Sequence, residues 1–330
     1  YLETMIALGH FFLLLVSVGL IWFFAGLLIE SVDRVAKRFK TSGFTIAFFV
    51  LGFLTSISEI SVMVNSSIDK VPQIAVGNLI GASFVILLGI VPFLAVIGHS
   101  IRLKNTLKQR HIAYALFVIA LPVIFVLDGS VNIVEGIACI LAYITTLYLI
   151  RGHGHHTVRD VMDEVGDELT HHETTTLSDV FKILVGAGII FAAGHFLVQE
   201  TVYFSEFFGI PSSIIGLVFL SIGTNLPEIV IAARSVLKKK ADIAFGDYLG
   251  SALTNTLIFG ALPIVNGSFL LGGGVQFVGT AVLMGIGFLA FYHLTKSGRI
   301  LTKAEGHTLL LIYIAFIILQ VISAVRYTHI

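Results

Sequence analysis

Long apolar stretches recur along the whole chain, and they restrict its fold more than any other feature. Each is about 20 residues long, which is the length that an α-helix needs to cross the hydrocarbon core of a bilayer. Only 12% of the 330 residues are charged, whereas 56% are apolar. A soluble protein of this size needs about twice that share of charged residues. The sequence therefore predicts an all-α polytopic membrane protein.

We place ten spans along the chain and expect most of the connections between them to be short. The spans cover approximately residues 6–29, 43–67, 72–98, 111–127, 131–150, 179–200, 211–236, 241–265, 274–295 and 306–325. A polar segment separates the first five spans from the second five. The predicted domains are a first half, residues 1–150, a linker, residues 151–178, and a second half, residues 179–330.

The positions of the lysines and arginines indicate how the spans are oriented. All 20 of them except Lys70 and Arg326 fall in the odd-numbered loops. Basic residues accumulate in cytoplasmic loops, so both chain termini are expected on the outer side. Because each half has an odd number of spans, the second half is inverted relative to the first. We expect ten transmembrane helices in two inverted five-helix repeats, in a prokaryotic plasma or inner membrane.

Polar residues interrupt the second and seventh spans with the same spacing. Glu228 lies in the middle of the seventh span, and Glu59 lies 169 residues earlier, in the second. Glycines follow both glutamates at equal distances of 18, 22 and 39 residues. An ionisable group inside the membrane is costly and is functional by default. Inverted repeats with a site near the membrane midplane are typical of secondary transporters.

Oxygen-bearing side chains accompany each glutamate on one helical face. They are Thr224 and Asn225 in the seventh span, and Thr55 and Ser56 in the second. Each pair lies four and three residues before its glutamate, which places all three side chains on one side of a helix. Carboxylate, hydroxyl and amide oxygens suit a hard cation such as Ca²⁺ or Na⁺. A purely structural polar network could use the same residues, and the pattern alone leaves that alternative open.

The third and eighth spans provide further candidate ligands. Asp247, Ser251 and Asn255 form a stripe at i, i+4 and i+8 in the eighth span. The third span contributes Asn78 at the corresponding position, with Ser83 beside the stripe. Asp247 lies only seven residues after a lysine cluster, so a vestibule near the membrane surface is the alternative location for it.

Together these motifs resemble the two α-repeats of the cation/Ca²⁺ exchanger superfamily, centred here on residues 43–98 and 211–265. The matching motifs are Thr55-Ser56-Ile57-Ser58-Glu59 with Gly77-Asn78-Leu79-Ile80-Gly81, and Gly223-Thr224-Asn225-Leu226-Pro227-Glu228 with Gly246-Asp247-Tyr248-Leu249-Gly250-Ser251 and Asn255. The span count, the inverted halves and the central loop are also similar, so the resemblance covers the whole chain.

The resemblance implies two halves packed around four core helices, with gating helices that move during alternating access. It implies that Glu59 and Glu228 are the principal Ca²⁺ ligands. The accessory oxygens that it implies come from Thr55, Ser56, Thr224, Asn225, Ser251 and Asn255. The implied function is a secondary antiporter that exchanges Ca²⁺, or a similar cation, for Na⁺ or H⁺.

The alternatives to a Ca²⁺ antiporter are another kind of membrane transporter and an enzyme. A cation channel, or an exchanger of protons and cations other than calcium, is the alternative within membrane transport. No hydrolase motif surrounds either glutamate, so we expect no enzyme and no cofactor. Nothing in the sequence resembles a nucleic-acid-binding surface, and the expected partners are the transported cations and membrane lipid.

The chain departs from the superfamily pattern at several positions. Ser58 stands where the first repeat usually has a proline, which predicts a less interrupted second span. Ala82 and Ile86 replace ligands of the sodium-coupled members, and Asn255 replaces an aspartate that they often have. The coupling ion is therefore left open between Na⁺ and H⁺.

The linker between the halves is rich in histidines and acidic residues. Residues 158–169 place their apolar side chains on one helical face, which is typical of an amphipathic helix at a membrane surface. Histidines lie on both sides of this segment and titrate near neutral pH. A simple linker and a regulatory site for metal or pH both remain open.

Overall fold

Apolar helices form almost all of the computed structural model of this protein. It describes residues 2–38, 56–98, 100–102, 109–151, 177–226, 228–229, 241–271, 274–296 and 300–327. In the first half the helices are α1 (Leu2–Arg38), α2 (Ile57–Ile68), α3 (Pro72–Ile97), α4 (Gln109–Phe125) and α5 (Ile133–Arg151). In the second half they are α6 (Leu177–Phe208), α7 (Ser212–Thr224), α8 (Ala241–Asn266), α9 (Gly274–Lys296) and α10 (Lys303–Tyr327).

Seven of the described helices are long and apolar enough to cross a bilayer, namely α1, α3, α4, α6, α8, α9 and α10. Two shorter apolar helices, Ile133–Leu149 and Ser212–Thr224, accompany them. Large apolar side chains are exposed along many of these helices, as a lipid-facing surface requires. The class predicted from the sequence, a polytopic α-helical membrane protein, is confirmed. Most of the linker, including its predicted amphipathic helix, lies outside the described residues.

Reciprocal hydrogen bonds fix the starts of two helices. At α5, the Asn132 amide donates to Glu135 at 2.9 Å, and the Glu135 amide donates to the Asn132 side chain at 3.0 Å. At α10, the Thr302 amide donates to Glu305 at 2.8 Å, and the Glu305 amide donates to the Thr302 hydroxyl at 3.3 Å. Both pairs are capping boxes, which satisfy backbone groups that a helix end leaves unpaired.

Two short antiparallel strand pairs connect loops that are distant in sequence. Strand β1 (Ser100–Arg102), after α3, pairs with β4 (Ile300–Thr302), which precedes α10. Strand β2 (Ser130–Val131), before α5, pairs with β3 (Phe269–Leu270), which follows α8. Each pairing joins either two odd-numbered or two even-numbered loops of the predicted topology. The pairings therefore agree with the sidedness expected from the basic residues.

The buried apolar residues form two clusters. The larger cluster contains residues of α3, α4, α5, α8, α9 and α10 and is the main core of the molecule. The smaller cluster combines residues of α1 and α6, such as Ile21 and Leu197, with residues of α2, α3 and α7. Helices α1 and α6 also meet through a hydrogen bond between His10 Nδ1 and Glu200 Oε2, which lie 2.7 Å apart. Thus α1 and α6 pack mainly on each other, beside the main core.

Glycines allow α3 and α7 to cross with their backbones in contact. A Cβ atom on Gly77 would collide with the carbonyl of Ser213, and one on Gly81 would collide with the carbonyl of Leu217. From the other side, a Cβ atom on Gly216 would lie 2.5 Å from the carbonyl of Ile74. Close helix approach at small residues is a common packing mode in membranes. Gly77 and Gly81 therefore allow this close packing of α3 against α7.

Candidate cation-binding site

Two residues with the same non-helical backbone conformation define the candidate site. Ser56, immediately before α2, has φ −91° and ψ 15°, and Asn225, immediately after α7, has φ −95° and ψ 13°. Helical hydrogen bonding resumes after each one. The Ile60 amide donates to the Ser56 carbonyl at 2.9 Å, and the Ile229 amide donates to the Asn225 carbonyl at 3.1 Å. All of these positions are related by the 169-residue spacing found in the sequence.

The serine at position 58 predicts a less interrupted second span, because it replaces a proline. In the structure α2 begins at Ile57, and Ser56 adopts the same non-helical conformation as Asn225. Residues 39–55, which precede Ser56, lie outside the described residues. The extent of the interruption in this span therefore stays a prediction.

Glu59 lies in the first turn of α2, with only 2% of its surface exposed. Its Oε2 atom accepts a hydrogen bond from the Ser58 hydroxyl at 2.8 Å. Its Oε1 atom accepts one from Asn225 Nδ2 at 3.2 Å. The start of a helix also carries a partial positive charge, which favours an anion there. The buried carboxylate of Glu59 thus joins α2 to Asn225, the non-helical residue after α7.

Glu228 occupies the equivalent position in the second half and is also 2% exposed. It lies three residues after the non-helical Asn225, in the helical turn that follows. Its backbone carbonyl accepts a hydrogen bond from the Tyr248 hydroxyl at 3.3 Å, which connects this turn to α8. The structure therefore buries both glutamates that the sequence predicted as ligands.

Hydrogen bonds between buried side chains extend the site to α3. The Thr224 hydroxyl donates to Asn78 Oδ1 at 3.2 Å. The Thr224 carbonyl accepts from the Ser58 hydroxyl at 3.2 Å, and Asn225 Nδ2 also donates to the Ser221 carbonyl at 2.8 Å. Helices α2, α3 and α7 are thereby joined at one buried polar centre.

Several buried oxygens of the ligands predicted from the sequence have no hydrogen-bond partner among the described residues. They are Ser56 Oγ, Asn225 Oδ1 and Asn255 Oδ1, on side chains that are at most 1% exposed. The side-chain amide nitrogens of Asn78 and Asn255 also lack a hydrogen-bond partner among the described residues. A buried polar group without a partner costs about 1–3 kcal/mol, so such groups are rare in a region with a structural role only. Uncharged oxygens beside carboxylates form the ligand set that a hard cation prefers.

The ligands predicted from the sequence are hydrogen-bonded to one another, buried, or outside the described residues. Hydrogen bonds connect Glu59, Thr224, Asn225 and Asn78. Ser56, Glu228, Ser251 and Asn255 are buried. Ser83 is buried, and its hydroxyl donates to the Leu79 carbonyl of its own helix at 3.1 Å. Thr55 lies outside the described residues, and Asp247 lies on α8 with its side chain outside them.

Three residues of the site were missed by the sequence reasoning, namely Ser58, Ser221 and Tyr248. Ser58 had a usable signal, because it adjoins Glu59 and stands 169 residues before Pro227. Ser221 and Tyr248 had none. Ser221 contacts the site through its backbone carbonyl, and Tyr248 donates its hydroxyl to the backbone carbonyl of Glu228.

The fold and the site define a class, which is an α-helical membrane protein with two buried carboxylates, each three residues after a non-helical residue of the same backbone conformation. Comparison with known proteins identifies the family. Residues 9–151 and 179–322 match the model of the family described as sodium/calcium exchanger protein. The chain belongs to this family, which confirms the resemblance seen in the sequence.

Individual relatives match over nearly the whole chain. The sodium/calcium exchanger MaX1 of Methanosarcina acetivorans is 22% identical over 341 residues, covering 92% of this chain and 97% of that protein. The crystal structure of the H⁺/Ca²⁺ exchanger CAX has a TM-score of 0.72 at 15% identity, covering 99% of this chain and 89% of that chain. A structure of the sodium-calcium exchanger NCX_Mj has a TM-score of 0.61 at 21% identity, covering 95% and 98%. The protein thus has the fold of these two exchangers.

Proposed function

We propose that this protein is a secondary antiporter that exchanges Ca²⁺ for Na⁺ or H⁺ across the membrane by alternating access. One observation carries the proposal. Two buried carboxylates, Glu59 and Glu228, each follow a non-helical residue by three positions, and the buried oxygens Ser56 Oγ and Asn225 Oδ1 of those residues lack hydrogen-bond partners among the described residues. Burying two carboxylates is costly. A bound cation would offset that cost at both carboxylates.

In this proposal the two glutamates are the principal Ca²⁺ ligands, and both alternate between the divalent ion and the coupling ions. The oxygens of Ser56, Asn225 and Asn255 are accessory ligands, because nothing else among the described residues satisfies them. Thr55, Thr224 and Ser251 complete the proposed accessory set. Asn78 positions Thr224 through their hydrogen bond of 3.2 Å.

The proposed architecture is a bundle of ten membrane-crossing helices in two inverted repeats, with both termini outside. The equal backbone conformations at Ser56 and Asn225 support the repeat. The two strand pairs support the topology, since each joins loops on one predicted side. Helices α1 and α6, which share the smaller apolar cluster, are suited to move as gating helices against the main core.

The relatives support exchange of Ca²⁺ and leave both coupling ions possible. One solved structure of the same fold is named as a sodium-calcium exchanger and another as an H⁺/Ca²⁺ exchanger. The test is Ca²⁺ flux into proteoliposomes that contain the purified protein. A sodium gradient and, separately, a pH gradient are imposed on the same preparation.

We expect one of the two gradients to drive Ca²⁺ against its own concentration gradient. Abolishing the driving gradient with an ionophore is the control and should stop the uphill flux. Uphill flux under neither gradient would refute the proposal. Flux that only ever runs down the Ca²⁺ gradient would indicate a channel instead.

A further inference from the structure

Ser58 makes the surroundings of Glu59 chemically different from those of Glu228. It is the second residue of α2, precedes Glu59 directly and is 1% exposed. The 169-residue spacing places Pro227 at the equivalent position of the second half. One half therefore has a buried hydroxyl where the other has a proline ring, which offers no donor.

The Ser58 hydroxyl lies between two acceptors on different helices. Its Oγ is 2.8 Å from Glu59 Oε2 and 3.2 Å from the Thr224 carbonyl oxygen. A serine hydroxyl has one proton to donate, so the two acceptors share it. The shorter contact is to the carboxylate, as is typical when the acceptor is charged.

The second acceptor is itself a suitable ligand for a cation. Thr224 is the last residue of α7, where a helix leaves carbonyl groups without intrahelical partners. Backbone carbonyls are common ligands of hard cations. The hydroxyl of Ser58 can release this oxygen to a cation and keep its shorter contact with Oε2, which fixes the orientation of the Glu59 carboxylate.

We propose that Ser58 is a positioning residue of the exchange site. In the cation-free state its proton is shared between Glu59 and the Thr224 carbonyl, which holds α2 against α7. When a cation takes the carbonyl, the hydroxyl turns fully to Glu59 Oε2 and keeps Oε1 directed toward Asn225. This inference rests on the exchange function proposed above and assigns Ser58 a share of the affinity for Ca²⁺.

The test measures KM and kcat for Ca²⁺ in proteoliposomes under the gradient that drives the wild type. Loss of a hydrogen bond to a charged group in Ser58→Ala should raise KM about tenfold and leave kcat within about twofold. Ser58→Thr keeps a hydroxyl and should have a KM within about threefold of the wild type. Ser58→Val has nearly the shape of threonine without its hydroxyl and should behave like Ser58→Ala.

Ser66→Ala is the matched control. Ser66 is a fully buried serine of the same helix, and its hydroxyl donates to the Met63 carbonyl. A merely structural role of Ser58 would reduce the amount of active protein and the maximal rate without changing KM. An unchanged KM in Ser58→Ala or Ser58→Val, or a raised KM in Ser58→Thr, would overturn the inference. A wild type without uphill flux would instead refute the proposed function itself.

Discussion

At the scale of single residues, the site combines polar groups that are paired with polar groups that are not. Both oxygens of Glu59 accept hydrogen bonds, whereas both polar atoms of the Asn255 side chain lack a partner among the described residues. Removing unpaired buried groups stabilises a protein, because their desolvation is uncompensated. Under the proposed function, cation binding explains why Asn255 is kept despite its cost to stability.

The first prediction concerns Asn255→Leu, which replaces the amide with an apolar group of similar volume. We expect the free energy of unfolding without Ca²⁺ to rise by about 1–3 kcal/mol, because two unpaired buried atoms disappear. The affinity for Ca²⁺ should fall in the same variant. Thermal unfolding in detergent and Ca²⁺ flux measure the two effects.

Thr254→Val is the control for this substitution. Thr254 is fully buried beside Asn255, and its hydroxyl already donates to the Gly250 carbonyl at 3.0 Å. Its replacement should not stabilise the protein. Asn255→Leu with lower stability and unchanged affinity for Ca²⁺ would contradict the account.

At the scale of helices, backbone contact between α3 and α7 determines where the site forms. Gly77, Gly81 and Gly216 leave no room for side chains at this crossing. The close approach brings Asn78 of α3 within hydrogen-bonding distance of Thr224 at the end of α7. Packing at the glycines and geometry at the site are therefore coupled.

The second prediction compares Gly81→Ala with Gly188→Ala. A Cβ atom on Gly81 collides with backbone and should destabilise the protein by about 1–3 kcal/mol, as overpacking does. A Cβ atom on Gly188, in α6, meets no atom within 4 Å. Alanine there should leave stability unchanged or raise it by up to about 1 kcal/mol, because alanine favours a helix. Equal melting temperatures of the two variants would contradict this packing.

At the scale of the whole molecule, the proposed inverted topology puts the α8–α9 turn outside and the start of α10 inside. Ser268 and Ala304 are exposed residues of these two regions. Neither touches the candidate site, so cysteines at these positions report on topology alone.

The third prediction uses single cysteines in a Cys139→Ala background, since Cys139 is the one natural cysteine. Ser268→Cys should react in intact cells with a maleimide that does not cross membranes. Ala304→Cys should react only after permeabilisation. The same labelling pattern for both positions would contradict the predicted sidedness.

Much of this organisation could be predicted from the sequence, for physical reasons that differ between residues. Glu59 and Glu228 were recognisable because a carboxylate inside an apolar span is costly wherever its helix packs. The contact of Tyr248 with the Glu228 carbonyl was not, since it depends on which helices meet. The non-helical conformation of Ser56 was not predicted, because no proline in the sequence marks that position.

The central claim is that the two buried glutamates form one Ca²⁺ site, and Ca²⁺ binding to the purified protein tests it most directly. Glu59→Gln and Glu228→Gln should each weaken binding by about a hundredfold or more, because each removes a buried charge that pairs with the ion. Glu206→Gln, at an exposed position of α6, should bind Ca²⁺ like the wild type. Wild-type affinity in both Glu59→Gln and Glu228→Gln would contradict the claim.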